Sequence, residues 1–99
     1  MTDRRVTVIA RVRAKDGAEE ALRRELLALI PPTTREQGCI SYDLHQSADN
    51  PALFMFYEIW CSRGDLEEHL EQPHLRVFRD RATGLLAEPV DITLWEAID

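Results

Sequence analysis

From residue 6 the chain alternates. Val6, Val8, Ala10 and Val12 fall on one side of an extended segment, with Thr7, Ile9, Arg11 and Arg13 on the other. A period of two with one wholly apolar face predicts a strand. Lys15-Asp16-Gly17 ends it, with Asp16 placed to cap a following helix. The period then becomes helical: Leu22, Leu26, Leu29 and Ile30 form one stripe, and Glu19, Arg23, Arg24 and Glu25 fill the outside. Pro31-Pro32 should stop or kink this helix, because an interior proline lacks a donor and clashes with the preceding turn. A further turn over 34–37 can follow, closed by Gly38. Alternation returns over 39–46, with Ile40, Tyr42 and Leu44 against Ser41, Asp43 and His45. Residues 47–51 are turn chemistry, and 53–61 is a third strand. A hairpin turning about Asn50 sets Cys39 opposite Cys61. Ser62-Arg63-Gly64-Asp65 punctuates the chain before helical patterns over 66–71 and 75–86, separated by Gln72-Pro73. After the break at Ala87-Glu88-Pro89, a last strand spans 90–98.

The order strand, helix, strand, strand, helix, strand fits an α+β, ferredoxin-like βαββαβ fold: one antiparallel sheet with its helices on one face. The third strand adds a constraint. Phe54, Phe56, Glu58 and Trp60 point one way, and Leu53, Met55, Tyr57, Ile59 and Cys61 the other. Such a sheet normally shows water a polar outer face. Here both faces are apolar, and the chain has helices for only one. The simplest cover for the other is a second copy in a two-fold homodimer.

Composition narrows the class. Ninety-nine residues support a single domain over 1–99, and 44% hydrophobic with 30% charged residues is a globular balance. The longest apolar run is six residues, Ala52 to Tyr57, far short of a membrane helix. Met-Thr-Asp-Arg-Arg leads straight into the first strand, so no export signal is expected and the reducing cytoplasm is the expected location. Twelve Lys and Arg against eighteen Asp and Glu give a net charge of −6, which opposes nucleic-acid binding. Cys39 and Cys61 make neither a disulfide framework nor a zinc spacing, and no glycine-rich phosphate loop or nicotinamide or flavin fingerprint occurs.

Three groups could carry chemistry. Glu58 lies between Phe56 and Trp60 on an apolar face, where a carboxylate is either paired, with Arg11 or Arg79 as partner, or pushed toward its neutral form. As an acid or base it would stand beside rings that can hold a flat substrate. His69 shares a helix face with Leu66, three residues earlier, and so points inward; His74 lies just beyond Pro73. Each suits proton transfer, although a lone histidine is more often a packing or capping residue than a catalyst. His45 lies on the polar face of the second strand. None of the spacings matches a metal-ligand motif.

Several segments are shared with a known family. Thr7-Val8-Ile9-Ala10, Lys15-Asp16-Gly17, Glu36-Gln37-Gly38-Cys39 and Tyr42-Asp43-Leu44-His45-Gln46 resemble the antibiotic biosynthesis monooxygenase family. Phe56-Tyr57-Glu58-Ile59-Trp60, Leu66-Glu67-Glu68-His69-Leu70 and Gln72-Pro73-His74-Leu75 are similar to its small bacterial quinol monooxygenase-like members. The likeness runs over about 5–96. It implies a dimeric α+β barrel and oxygenation of electron-rich aromatics, such as quinols, polyphenols and anthrones, by O₂ without metal, flavin or other cofactor. It places Trp60, Phe56, Phe78 and Tyr42 around the substrate, with His69, Glu58 and His74 as catalytic candidates. The family's haem-degrading branch uses an Asn, a Trp and a His where this chain has Ala10, Trp60 and Arg79, so that activity is not expected. A non-catalytic dimeric ligand-binding module, or an isomerase of a small oxygenated metabolite using the same histidines, are the alternatives.

Overall fold

The sheet is built around the two strands with the strongest apolar alternation. A computed structural model describes residues 4–99 of the chain. Met1, Thr2 and Asp3, which begin the stretch read above for export signals, lie outside the described residues. β1 (Val6–Arg13) pairs with β3 (Leu53–Trp60) on one side and β4 (Asp91–Trp95) on the other, and β2 (Cys39–Gln46) closes the far edge beside β3. The order is β2-β3-β1-β4, and every neighbouring pair is antiparallel. This is the expected ferredoxin-like arrangement, although each crossover holds two helices rather than one: α1 (Glu19–Ala28) with α2 (Ile30–Thr34), and α3 (Arg63–Leu70) with α4 (Pro73–Ala82).

The inner face is the one the alternation specifies. Val6, Val8, Ala10, Val12, Phe54, Phe56, Glu58 and Trp60 are all buried, together with Leu22, Leu26 and Leu29 of the covering layer. On the outer face Ile9, Met55 and Ile59 are half-buried, while Tyr57 and Trp95 are exposed. Arg81 and Glu25 tie α4 to α1 at 3.1 Å.

Several local expectations are corrected. Asp16 does not cap α1: Ala18 holds that position without a side-chain bond, and Gly17, at φ 85°, turns the chain into the helix instead. The extra turn expected over 34–37 falls earlier, in α2, because Pro31 and Pro32 suit a helix's first positions, where no donor is needed. The hairpin register about Asn50 holds back to Ser41 opposite Ile59. A bulge then shifts it, so Cys39 faces Trp60 rather than Cys61, and Ile40 is turned outward and exposed. α3 begins at Arg63, not at 66, because the Ser62 side chain accepts from the Asp65 backbone N–H at 3.1 Å. α4 starts at Pro73 and stops at Ala82. Beyond it, residues 85–87 bond along the end of β1, Leu85 O accepting from Lys15 N at 2.9 Å and Ala87 N donating to Arg13 O at 2.8 Å. The last strand is shorter than 90–98, ending at Trp95.

Candidate active site

Glu58 occupies the middle of β3, opposite Val8 on one neighbour and Tyr42 on the other. Its side chain therefore rises from the centre of the inner face, and the residue is only 4% exposed. Neither arginine reaches it: Arg11 is exposed on the outer face, and Arg79 donates to Leu70 O at 3.1 and 3.2 Å. The partner is Trp60, two residues along the same strand, whose indole N–H donates to Glu58 Oε1 at 2.9 Å. Burial pushes the carboxyl up to about 7; the Trp60 hydrogen bond pulls the other way, and the Glu36 charge adds to the rise. Tyr42 stacks on Phe56 at 4.3 Å, and burial, reinforced by Glu58, holds its phenol well above the ordinary value.

His69 comes from the last turn of α3 and is 2% exposed. Its ring lies against Trp60 at 4.5 Å and edge-on to Tyr42 at 5.5 Å. Nδ1 is 2.7 Å from Glu36 Oε2, while Nε2 makes no hydrogen bond among the described residues. With the proton on Nδ1 donated to the carboxylate, the lone pair stays on Nε2. Burial lowers the pKa of His69, opposed by the hydrogen bond and charge of Glu36 and assisted by His74. His74, in the first turn of α4, places Nε2 3.0 Å from that same Glu36 oxygen and 3.1 Å from the buried Thr33 hydroxyl. Glu36 thus stands between two imidazoles.

Two spaces meet this cluster. Between sheet and helices lies an apolar cavity of about 60 Å³, with Tyr42, Phe56, Glu58, His69 and Phe78 in its walls and Val90 and Ile92 toward its open side. Outside it, a cleft of about 410 Å³ is bordered by Glu36, Gly38, Trp60, Asp65, Glu68, Gln72 and His74. The structure therefore gathers Phe56, Tyr42, Phe78, Glu58 and His69 at the inner cavity. His74 lies on the cleft side, and Trp60 backs the His69 ring instead of forming the cavity wall. Glu36 and Thr33 escaped the sequence reading: Glu36 sits in an irregular turn, far along the chain from both histidines, with no period to assign its direction. Glu36, His69 and His74 are also the one trio of His, Cys, Asp or Glu donors, among the described residues, close enough to hold a metal ion, with all donor atoms within 4.8 Å. Burial, reinforced by the charges of Glu36 and Glu58, pushes the Cys39 thiol up to about 11, which disfavours the thiolate at neutral pH.

A ferredoxin-like sheet with an apolar cavity under its helices, lined in part by aromatic rings and a buried histidine, defines a small α+β protein of the antibiotic biosynthesis monooxygenase type. The family's signature matches residues 5–81. Rv0793 of Mycobacterium tuberculosis, a candidate monooxygenase by its name, is 44% identical over 94 residues, spanning 95% of this chain and 92% of the relative. Its structure superposes with a TM-score of 0.90 over 96% of both chains. PA3566 from Pseudomonas aeruginosa superposes with a TM-score of 0.93 at 35% identity, over 100% of this chain and 99% of the other. YgiN of Escherichia coli, named a probable quinol monooxygenase, is 26% identical over 84% of this chain and 89% of its own. The chain belongs to the antibiotic biosynthesis monooxygenase family.

Proposed function

We propose that the protein is a cofactor-independent monooxygenase that oxidises a small quinol, polyphenol or anthrone-like aromatic with O₂, working as a cytoplasmic homodimer. The observation that carries this reading is the buried His69, anchored through Nδ1 on Glu36 with Nε2 free beside an apolar cavity that also holds Glu58. A hydroquinone and O₂ balance to a hydroxyquinone and water, with the substrate supplying all the electrons. His69 removes a phenolic proton. The phenolate passes one electron to O₂, and recombination forms a carbon–oxygen bond as a ring hydroperoxide. Loss of the ring C–H proton with cleavage of the O–O bond gives the new carbonyl. Glu58, neutral in part because burial raises its pKa to about 7, supplies the proton that lets the distal oxygen leave as water. Tyr42, Phe56 and Phe78 hold the ring, Trp60 fixes the His69 plane and the Glu58 carboxyl, and His74 fixes Glu36.

The small size of the cavity sets a condition on this chemistry. About 60 Å³ accommodates O₂ or two waters, whereas a cavity that takes up benzene is about 150 Å³. The aromatic ring therefore requires the open side, near Val90 and Ile92, to part. The outer sheet face supports the dimer: Ile9, Met55, Tyr57 and Ile59 form an apolar surface that none of the described helices covers.

The test is oxygen uptake by metal-stripped protein against a panel of hydroquinones and anthrones, with products weighed by mass spectrometry. Uptake above background, abolished in His69→Ala, is expected. Product without oxygen consumption identifies an isomerase. Saturable quenching of Trp60 fluorescence without product identifies a ligand-binding module. Either result overturns the proposal.

A further inference from the structure

We propose that Glu36, His69 and His74 bind one divalent first-row transition ion, with Zn²⁺ as the reference, at the floor of the outer cleft. Two imidazole nitrogens and one carboxylate oxygen are a donor set that such ions favour and that Mg²⁺ and Ca²⁺ do not. Around an ion with bonds of about 2.1 Å, neighbouring donors lie about 3.0 to 3.4 Å apart. Here His69 Nδ1 and His74 Nε2 lie 2.7 and 3.0 Å from one Glu36 oxygen, and all three donor atoms fall within 4.8 Å of one another, so coordination requires side-chain rotations that open the two N···O contacts slightly and draw the two nitrogens together. The donors come from three separately fixed pieces of backbone. Glu36 N bonds Thr33 O at 3.0 Å, His69 is wedged between Trp60 and Tyr42, and His74 is fixed in the first turn of α4 behind Pro73. The Thr33 hydroxyl, buried 3.1 Å from that same His74 nitrogen, would give up this bond to the ion and is placed to hold a metal-bound water. The cleft gives access, and Asp65 and Glu68 on its border favour a cation there, against Arg35 alone.

The ion would not be an oxygen-activating centre. Its open positions face the polar cleft, while the apolar cavity lies beyond the imidazole of His69. A metal on Nδ1 forces the ring proton onto Nε2, so the metal-bound state has no base toward the cavity. Where the oxygenase reading holds, the ion is therefore an inhibitor that competes with a proton for the same nitrogen.

The experiment uses the full-length protein, stripped of metal, titrated with Zn²⁺ by calorimetry and with Co²⁺ by visible absorption. One ion per chain is expected, with Co²⁺ bands of a low-symmetry nitrogen–oxygen site. His74→Ala and Glu36→Gln, both at partly exposed positions, should each weaken binding by ~100-fold, and His45→Ala, at an exposed histidine elsewhere, should leave it unchanged. Absence of saturable binding, affinity unchanged in both His74→Ala and Glu36→Gln, or loss of binding in His45→Ala overturns the proposal. Calorimetry decides it without substrate, so a failed oxygen-uptake assay bears only on the oxygenase reading. With uptake present, Zn²⁺ should suppress it in the unmodified protein over the same concentration range in which calorimetry records binding.

Discussion

Replacing Glu58 by Gln should make the protein's stability less sensitive to pH, and the size of the change follows from the site. The glutamate has an ordinary value of 4.5 when unfolded and about 7 in the fold, where burial disfavours its charge. Because the folded value is the higher one, the contribution is fully present below 4.5 and is lost as pH rises through 7. At 1.36 kcal/mol per pH unit the full loss is about 3 kcal/mol, of which about 2.5 kcal/mol falls between pH 5 and 8. Glutamine keeps the carbonyl that accepts from the Trp60 indole and stays neutral throughout, so it imitates the protonated acid. His69 moves the opposite way, its lowered value costing stability as pH falls, but that contribution is common to both proteins and cancels in the difference. Urea unfolding followed by circular dichroism at pH 5, 6, 7 and 8 measures the effect. Both proteins must be held at one chain concentration, because self-association adds to apparent stability. Relative to Glu58→Gln, the unmodified protein should lose about 2.5 kcal/mol across that range. Parallel stability curves would refute the reasoning, because they would mean that the carboxyl is charged in the fold at no cost.

The oxygenase reading makes the rate bell-shaped in pH: it falls above about 7 as Glu58 ionises and falls on the acid side as His69 takes up a proton. A profile flat from pH 6 to 9 in the oxygen electrode would remove Glu58 from the reaction. Tyr57→Glu puts a charge at the centre of the outer apolar face and should turn a species of about twice the chain mass into a monomer by light scattering; an unmodified protein already monomeric at micromolar concentration contradicts the dimer. Gly38→Ala should lower stability by about 0.5 to 2 kcal/mol in the same urea assay, because its Cβ would strike the Asp65 side chain and disturb the Ser62–Asp65 cap of α3. Unchanged stability would mean that Asp65 moves aside freely.

The fold was legible wherever a period governed the direction of side chains. The alternation of Val6, Val8, Ala10 and Val12 and of Phe54, Phe56, Glu58 and Trp60 selects the inner face, and all eight are buried. What was misread lay where tertiary contacts outweigh local pattern. Leu85 and Leu86 continue the helical spacing of α4, yet the chain leaves the helix at Ala82 because its backbone groups find partners on the end of β1. Ser62 and Gly64 suggest a turn, but the spacing of Ser62 and Asp65 is that of a helix cap. The bulge after Cys39 leaves no mark in an uninterrupted alternation and still turns Ile40 outward.

The site was legible in part, for a related reason. A strand's period of two tells which face a residue occupies but not how deep along that face it sits. Glu58 and Trp60 share the inner face, as expected, yet only Glu58 reaches the cavity; Trp60 stands one step further along β3, behind His69. Glu36 belongs to no period at all. It is drawn in because Pro31 and Pro32 end α1 and start α2, which carries the following turn under the α3–α4 junction, where His69 and His74 meet one carboxylate oxygen. The two histidines are five residues apart, a spacing that matches no helical ligand pair. Pro73 divides them between two helices, and the change of direction at that proline lets both imidazoles converge on Glu36. The proline that separates the histidines in sequence thus brings them together in space, and the site's chemistry depends on that junction as much as on the residues at it.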